Sequence, residues 1–347
     1  LNRQDILDAL TAPDARPLFR SAVQARRDAL GDVVQVRAIL ELSSHCRSNC
    51  LYCGLRRDNT KLERYRLPPE DALETARRAS AAGFGTVILQ SGEDVREALG
   101  HIGHLVKAIR DSTPMSVTLS VGEWPREALA TWRMLGADRY LLKFETSHDD
   151  IYRRLRPGRR LEDRLGYLRD LRALGYQVGS GNLVGLPGQT LGDVADDLLL
   201  MQDLDLDTWV IGPFRPHPDT PLADVRSLPV DRVKDARTQV LSLDLLDVVL
   251  RCVSISRLLS PRAHIPGTTA LGALAPEGRL RALKVGANVL MQDVTPAAFR
   301  ARYDIYPGRL VGDGDAWERF GAAARVAEEA GMTVQECPRA VEPRGTP

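Results

Sequence analysis

Net charge, cysteine and long apolar runs are all scarce in this chain of 347 residues. Its 47 Lys and Arg set against 46 Asp and Glu leave a formal charge of +1, so no strong field draws it to nucleic acid or to an anionic membrane. No apolar run reaches the roughly 18 residues that a membrane-spanning helix needs. The opening LNRQDILDALTAPDA carries charges where a secretion signal has a continuous apolar stretch. The expectation is a cytoplasmic protein with neither nucleic acid nor membrane as partner. Five cysteines, unevenly spread, exclude a disulfide framework, and in a reducing compartment a tight cluster of them points to metal or redox chemistry. Low-complexity sequence is also absent, and 44% hydrophobic with 27% charged residues is the composition of a soluble globular enzyme.

What is present is a repeat. An amphipathic segment, a glycine, two or three residues and a short apolar run recur as RRASAAGFGTVILQ, TWRMLGADRYLLK, LRALGYQVGSG, ALKVGANVLMQ and RVAEEAGMTVQ. Gly83, Gly136, Gly175, Gly286 and Gly331 suit the left-handed residue that ends a helix, and the runs after them suit buried parallel strands. Eight strands are expected, at about 36–42, 86–90, 116–120, 139–144, 177–183, 208–212, 264–267 and 288–292, with helices between. That pattern predicts a (βα)8 barrel over 36–312, with a helical lead-in over 1–35 and a C-terminal helix and tail over 313–347. A doubly wound open sheet is the alternative, because periodicity does not say whether the sheet closes. Residues 225–260, rich in Leu, Val and Asp, read as a long helix pair.

Polar and glycine-containing stretches follow each expected strand: SSHCRSNCLYCG, SGED, GEWP, ET, GLPGQT, GPFRPHPDTP, PGTTALG and DVTP. In a closed barrel all eight would gather at the C-terminal face, where barrel enzymes place their chemistry. Cys46, Cys50 and Cys53 have the spacing C-x3-C-x2-C, which lets one short loop wrap one inorganic object. A structural zinc takes four protein ligands and a purely electron-transferring [4Fe–4S] cluster takes four cysteines, but no fourth cysteine is near. One option is a Cys3His zinc through His45, although adjacent residues seldom reach one tetrahedral centre. The other is a [4Fe–4S] cluster with one iron open to a ligand. Cys252 and Cys337 stand apart and read as a buried small hydrophobe and a tail thiol.

CRSNCLYC resembles the cluster loop of the radical S-adenosylmethionine (SAM) superfamily. There the open iron chelates the amino and carboxylate groups of SAM, and an electron passed to the sulfonium releases a 5′-deoxyadenosyl radical. CRSNCLYCGLRRDN, LQSGED, GEWP, GADRYLL, LVGLPGQT, GPFRPHPDTPL, IPGTTALG and GANVLM together, in order, resemble the HydE family of [FeFe]-hydrogenase maturases, over nearly the whole barrel. The resemblance implies one three-cysteine [4Fe–4S] cluster, SAM as co-substrate, a low-potential electron donor, the other hydrogenase maturases as associates, and a small cysteine-ligated iron complex carrying carbon monoxide and cyanide as substrate.

It also implies roles. Tyr52 resembles the aromatic that lies against adenine. Glu93, with Gln90 and Ser91 beside it, resembles the acceptor for the SAM amino group, where a charge-assisted bond is roughly twice as strong as a neutral one. Glu145 resembles the acid on the ribose hydroxyls, and Arg164 the arginine that meets the SAM carboxylate through its planar fork. Thr118, Arg139, Lys143, Tyr303 and Tyr306 correspond to residues lining the substrate cavity. Thr268 and Thr269 resemble residues that hold small anions, and Met291 an internal residue that reads equally as core filler. Arg139 and Lys143, four apart on one expected strand, point to one side, and two buried cations on one face call for an anion.

The chain departs from the family at Lys143 and Phe144, where Arg-His is usual, and at Gln292 and Val294, where Pro-Asn-Trp-Thr-Pro is usual. The family's optional second cluster lacks its cysteines here, only Cys337 being near. An enzymatic rival is a barrel of the methylornithine synthase or biotin synthase kind, acting on an organic substrate; a non-enzymatic one is a zinc-binding module.

Overall fold

The computed structural model describes residues 1–95, 99–224, 244–309 and 314–335. Strands β1 (Val33–Ser43), β2 (Thr86–Ser91), β3 (Ser116–Ser120), β4 (Ala137–Leu141), β5 (Gln177–Val184), β6 (Thr208–Pro213), β7 (Pro266–Gly267) and β8 (Val289–Asp293) alternate with helices. They lie in the order β6-β5-β4-β3-β2-β1-β8-β7, with every pairing parallel. The ring closes between β6 and β7 through a single bridge. His264 N–H donates to the Asp207 carbonyl and Trp209 N–H to the His264 carbonyl, both at 2.9 Å. The expected barrel is therefore the observed one, with a thin seam where β7 is shortest.

All five glycines expected to end helices have positive φ, from 72° at Gly331 to 122° at Gly286. A short β9 (Thr333–Val334) follows the last of them and pairs with Val33–Val34 at the start of β1. The lead-in forms two helices, Arg3–Thr11 and Arg16–Leu30, and pairing in β1 begins at Val33, before the expected start. Of the helix pair expected over 225–260, the structure describes Leu245–Leu259, a buried helix in which Cys252 is the small hydrophobe anticipated for it. Residues 225–243, the barrel boundary near 312 and Cys337 lie outside the described residues. No helix among those described is long and apolar enough to cross a membrane.

Strand β4 stops at Leu141, short of the expected 144. The Ser180 hydroxyl takes over the ladder there, donating to the Leu142 carbonyl at 2.7 Å and accepting from Phe144 N–H at 3.2 Å. The chain then kinks at Glu145, whose φ of 71° is left-handed, and rejoins β5 at Asn182. A non-glycine residue in that region costs about 1 to 3 kcal/mol and persists only where its surroundings enforce it. Two backbone bonds hold Glu145, to Gly181 at 3.0 Å and from Leu183 at 2.8 Å. Just beyond, the fully buried Asp197 accepts from Ser147 N–H at 2.6 Å, from the Ser147 and Thr146 hydroxyls, from Asn182 at 2.9 Å and from Gln189 at 3.2 Å.

Burial is the main influence on Asp197 and raises its pKa from 3.8 to about 7, although its hydrogen bonds oppose the rise. A folded-state pKa above the unfolded one means that the native state holds the proton more tightly, so this contribution to stability is present at low pH and is lost as pH rises through about 7. Relative to Asp197→Asn, the wild type should lose stability between pH 4 and 7 by at most about 1.4 kcal/mol per pH unit. Paired urea titrations across that range would check it; a wild-type stability that rises with pH relative to the variant would contradict the assignment.

Candidate active site

After β1 the chain makes the 22-residue excursion that carries the three thiols, then returns antiparallel at Ser43 and Arg66. The excursion is braced from inside. Arg64 donates to four carbonyls, those of Ser44 (2.6 Å), Leu55 (3.1 Å), Arg56 (2.7 Å) and Asn59 (3.2 Å), and Asn59 donates to the Gly54 carbonyl at 2.7 Å. The string GLRRDN, read in the sequence as a family marker, is thus part of the scaffold of the cysteine loop.

Close approaches fix the loop from outside. A Cβ on Gly54 would lie 1.9 Å from the Asp304 carbonyl oxygen, and one on Gly92 would lie 2.2 Å from the His45 carbonyl oxygen. Neither gap admits a side chain. Between them Cys46, Cys50 and Cys53 line one cavity of about 350 Å3 at the C-terminal mouth of the barrel. Glu93 N–H points at Cys46 Sγ, 3.4 Å away. Burial raises the pKa of both Cys46 and Cys53, and for Cys53 the neighbouring Cys50 and Cys46 add to the rise. Such thiols become thiolates when metal charge replaces the lost hydration. His45 does not line the cavity. Among the described residues no group of three or more His, Cys, Asp or Glu is gathered tightly enough for a single ion. Three soft donors around a shared space suit an iron–sulfur cluster with one open position.

The same wall carries Tyr52, Gln90, Ser91, Glu93, Glu145, Arg164, Lys143, Thr268, Thr269, Met291, Tyr303 and Tyr306. Tyr52 OH donates to Glu145 Oε1 at 3.1 Å, and Lys143 Nζ sits 3.0 Å from Glu145 Oε2. Gln90 Nε2 donates to Tyr303 OH at 3.3 Å; the Ser91 hydroxyl turns to the Gly92 carbonyl. The Thr269 and Tyr306 hydroxyls are 2.6 Å apart, and Thr268 caps the short helix Thr269–Leu274 by accepting from Leu271 N–H.

Glu93 and Arg164 are more occupied than the sequence implies. Glu93 Oε2 receives Arg47 (3.1 Å), Ser48 (3.0 Å) and Arg159 (2.9 Å), while Arg156 stands 3.8 Å from Oε1. Arg164 Nε lies 2.8 Å from Glu123 Oε1, and Glu123 Oε2 takes Arg159 at 2.8 Å. Gly122 gives Glu93 its room, since a Cβ there would fall 2.0 Å from Glu93 Cγ.

The expected pairing of Arg139 with Lys143 over one anion is corrected. Lys143 lies beyond the end of β4 and is matched by Glu145. Arg139 sits deeper with Thr118 and Arg37 around a separate small space, its Nε donating to Gln177 at 2.7 Å. Leu141 and Met291 line both spaces and divide them. Met291 also packs with Ile39, Ile88 and Val289, so it is core and wall at once.

All eight loops gather at the C-terminal face as expected, Leu186 and Phe214 packing with Tyr52, but those after β5 and β6 do not line the cavity, which takes only Val210 from β6. Gln189 of GLPGQT folds onto Gly185 and Leu186 N–H, and His217 of GPFRPHPDTP stands 3.0 Å from Asp304 behind Gly54. In their place the segment 303–309 supplies Tyr303, Ile305, Tyr306 and Arg309.

Sequence reasoning missed Glu41, Asp293, Arg309, Arg156 and Arg279. Arg309 bridges Glu41 and Asp293 across the cavity wall. Burial, then the nearby Asp293, hold Glu41 well above its ordinary pKa despite Arg309. A lone acid in the apolar run VRAILELS was the available signal for Glu41. Arg156 is buried, yet in RRLRPGRR it cannot be told from the exposed Arg153 and Arg160.

A three-thiol loop at the mouth of a parallel barrel, with paired acids and a tyrosine on the same wall, defines a radical SAM enzyme. The Radical SAM superfamily model matches residues 40–201, and that superfamily's cofactors are a [4Fe–4S] cluster and SAM. The chain is 45% identical over 311 residues to the [FeFe] hydrogenase maturase subunit HydE of Thermotoga maritima, covering 89% of this chain and 84% of that protein. It belongs to the HydE family. It is also 27% identical to the 3-methylornithine synthase of Methanosarcina barkeri, over 80% of this chain and 75% of that one. The crystal structure of methylornithine synthase shares the fold, with a TM-score of 0.80 at 24% identity over 97% of this chain and 95% of that one.

Gly54→Ala should keep the barrel and lose the cluster, because the added carbon meets the Asp304 backbone and must push the cysteine loop aside. Anaerobic reconstitution should load about four irons in the wild type and less than half as many in the variant, with little change in far-UV circular dichroism.

Proposed function

We propose that this maturase acts on a small cysteine-bound iron complex carrying carbon monoxide and cyanide, and passes an iron species toward the diiron subsite of [FeFe]-hydrogenase. What carries the reading is the 45% identity with HydE along most of both chains, joined to a cavity that continues past the three thiols into the barrel. When bound, the [4Fe–4S] cluster and SAM supply a 5′-deoxyadenosyl radical.

The chain's own residues hold, orient and enclose. Cys46, Cys50 and Cys53 hold the cluster. Tyr52 offers its ring to adenine and, through its hydroxyl, keeps Glu145 aimed at the ribose. Gln90, Ser91 and the Oε1 edge of Glu93 receive the amino group, and Arg164 receives the carboxylate while Glu123 fixes its fork. Tyr303, Tyr306, Thr268, Thr269 and Lys143 line the substrate side, with Thr118, Arg139 and Met291 below. The segment 303–309 adds Tyr303, Ile305, Tyr306 and Arg309 to the wall, which helps keep water from competing for a reactive carbon. A low-potential electron donor and the other maturases of the same assembly are the partners this activity requires.

The 3-methylornithine synthase relative motivates a discriminating experiment. With reconstituted enzyme, SAM, a reductant and a cysteine-derived sulfur substrate, an adenosyl–sulfur adduct is expected by mass spectrometry. Deuterium passing from a labelled amino acid into 5′-deoxyadenosine, with no adduct, would instead assign the chain to organic-substrate chemistry.

A further inference from the structure

Four cations on the cavity wall have a carboxylate nearby: Lys143 has Glu145, Arg156 has Glu93, Arg164 has Glu123, and Arg309 has Glu41 and Asp293. Arg279 differs. It lines the same cavity and is only 8% exposed, yet no carboxylate among the described residues meets it. Its Nη2 donates to the Met291 carbonyl at 3.2 Å and its Nη1 to Gln292 Oε1 at 3.5 Å, both neutral, while its buried Nε has no partner. Burial lowers its pKa to about 10, with only Tyr306 opposing, so it remains a cation at neutral pH. A buried charge left unmatched is costly, and a ligand that supplies the opposite charge removes that cost.

Its position is firmly set. A Cβ on Gly278 would fall 2.2 Å from the Leu271 carbonyl oxygen, so only glycine lets helix Gly278–Leu283 pack this closely on Thr269–Leu274. That packing puts Arg279 on the side of the cavity where Thr269 and Tyr306 share a hydrogen bond. Gln292, a departure from the family pattern, steadies one edge of the guanidinium without neutralising it.

We propose that Arg279 binds the carboxylate of the substrate's amino-acid part and sets specificity for an acid over an amide. The proposal rests on the cysteine-bound substrate inferred above. A planar guanidinium whose charge is met only by neutral acceptors suits a carboxylate, while a carboxamide would return an N–H against it.

The test uses cluster-loaded enzyme with S-adenosylhomocysteine present and measures, by equilibrium dialysis, S-methyl-L-cysteine against S-methyl-L-cysteinamide. The wild type should bind the acid about tenfold to a hundredfold more tightly. In Arg279→Gln the two affinities should converge while that for S-adenosylhomocysteine is unchanged. Gln292→Glu provides a second route that leaves the arginine in place as a brace: its carboxylate should satisfy Arg279 and abolish the same preference. A wild type that prefers the acid, with both variants keeping that preference, overturns the role of Arg279 and leaves the function standing. A wild type that binds neither compound, or both equally, overturns the role together with the substrate class.

Discussion

Burying charge around three thiols is the constraint on which the rest of the molecule depends. A cavity dry enough to protect a radical is also a place where an unmatched ion is expensive. The wall therefore carries its acids and bases in groups: Glu93 with Arg47, Arg159 and Arg156, Glu123 with Arg159 and Arg164, Glu145 with Lys143, and Glu41 and Asp293 with Arg309. All of them except Glu145 with Lys143 join segments far apart in sequence. Satisfying the charges and assembling the site are one event.

The barrel makes this possible by delivering strand ends to one rim, and small departures from its regularity do the aiming. Ser180 interrupts the β4 ladder, Glu145 takes a left-handed conformation, and Asp197 ties the following turn to β5 and to helix Leu191–Asp203. A regular strand through residue 145 would follow the ordinary pleat instead. Glycines serve the same end by absence: Gly54, Gly92 and Gly122 leave gaps that only backbone or one particular side chain fills.

Much of this was legible in the chain itself. The sequence pattern placed all eight barrel strands to within about three residues at each end, with β7 two residues shorter than expected. The cysteine spacing and the cavity residues drawn from the family pattern mostly fall on one wall, because short loops at strand ends have few places to go. Less legible was which charges cancel. Arg139 and Lys143 look like a matched pair by spacing, but Leu141 stands between them and Glu145 claims the lysine. The loops after β5 and β6 look like site loops by composition, yet Gln189 and His217 brace the scaffold.

By itself the sequence determined the repeat, the three-thiol loop and the class of chemistry, since these depend on local spacing: 3.6 residues per turn, two per pleat, and the reach of eight residues around one cluster. Only the tertiary structure decided that Arg279 lines the cavity without an acid beside it, which arginines surround Glu93, and which loops form the wall. Those outcomes depend on distances between residues up to 268 positions apart, as with Glu41 and Arg309, and no local pattern encodes a distance of that kind.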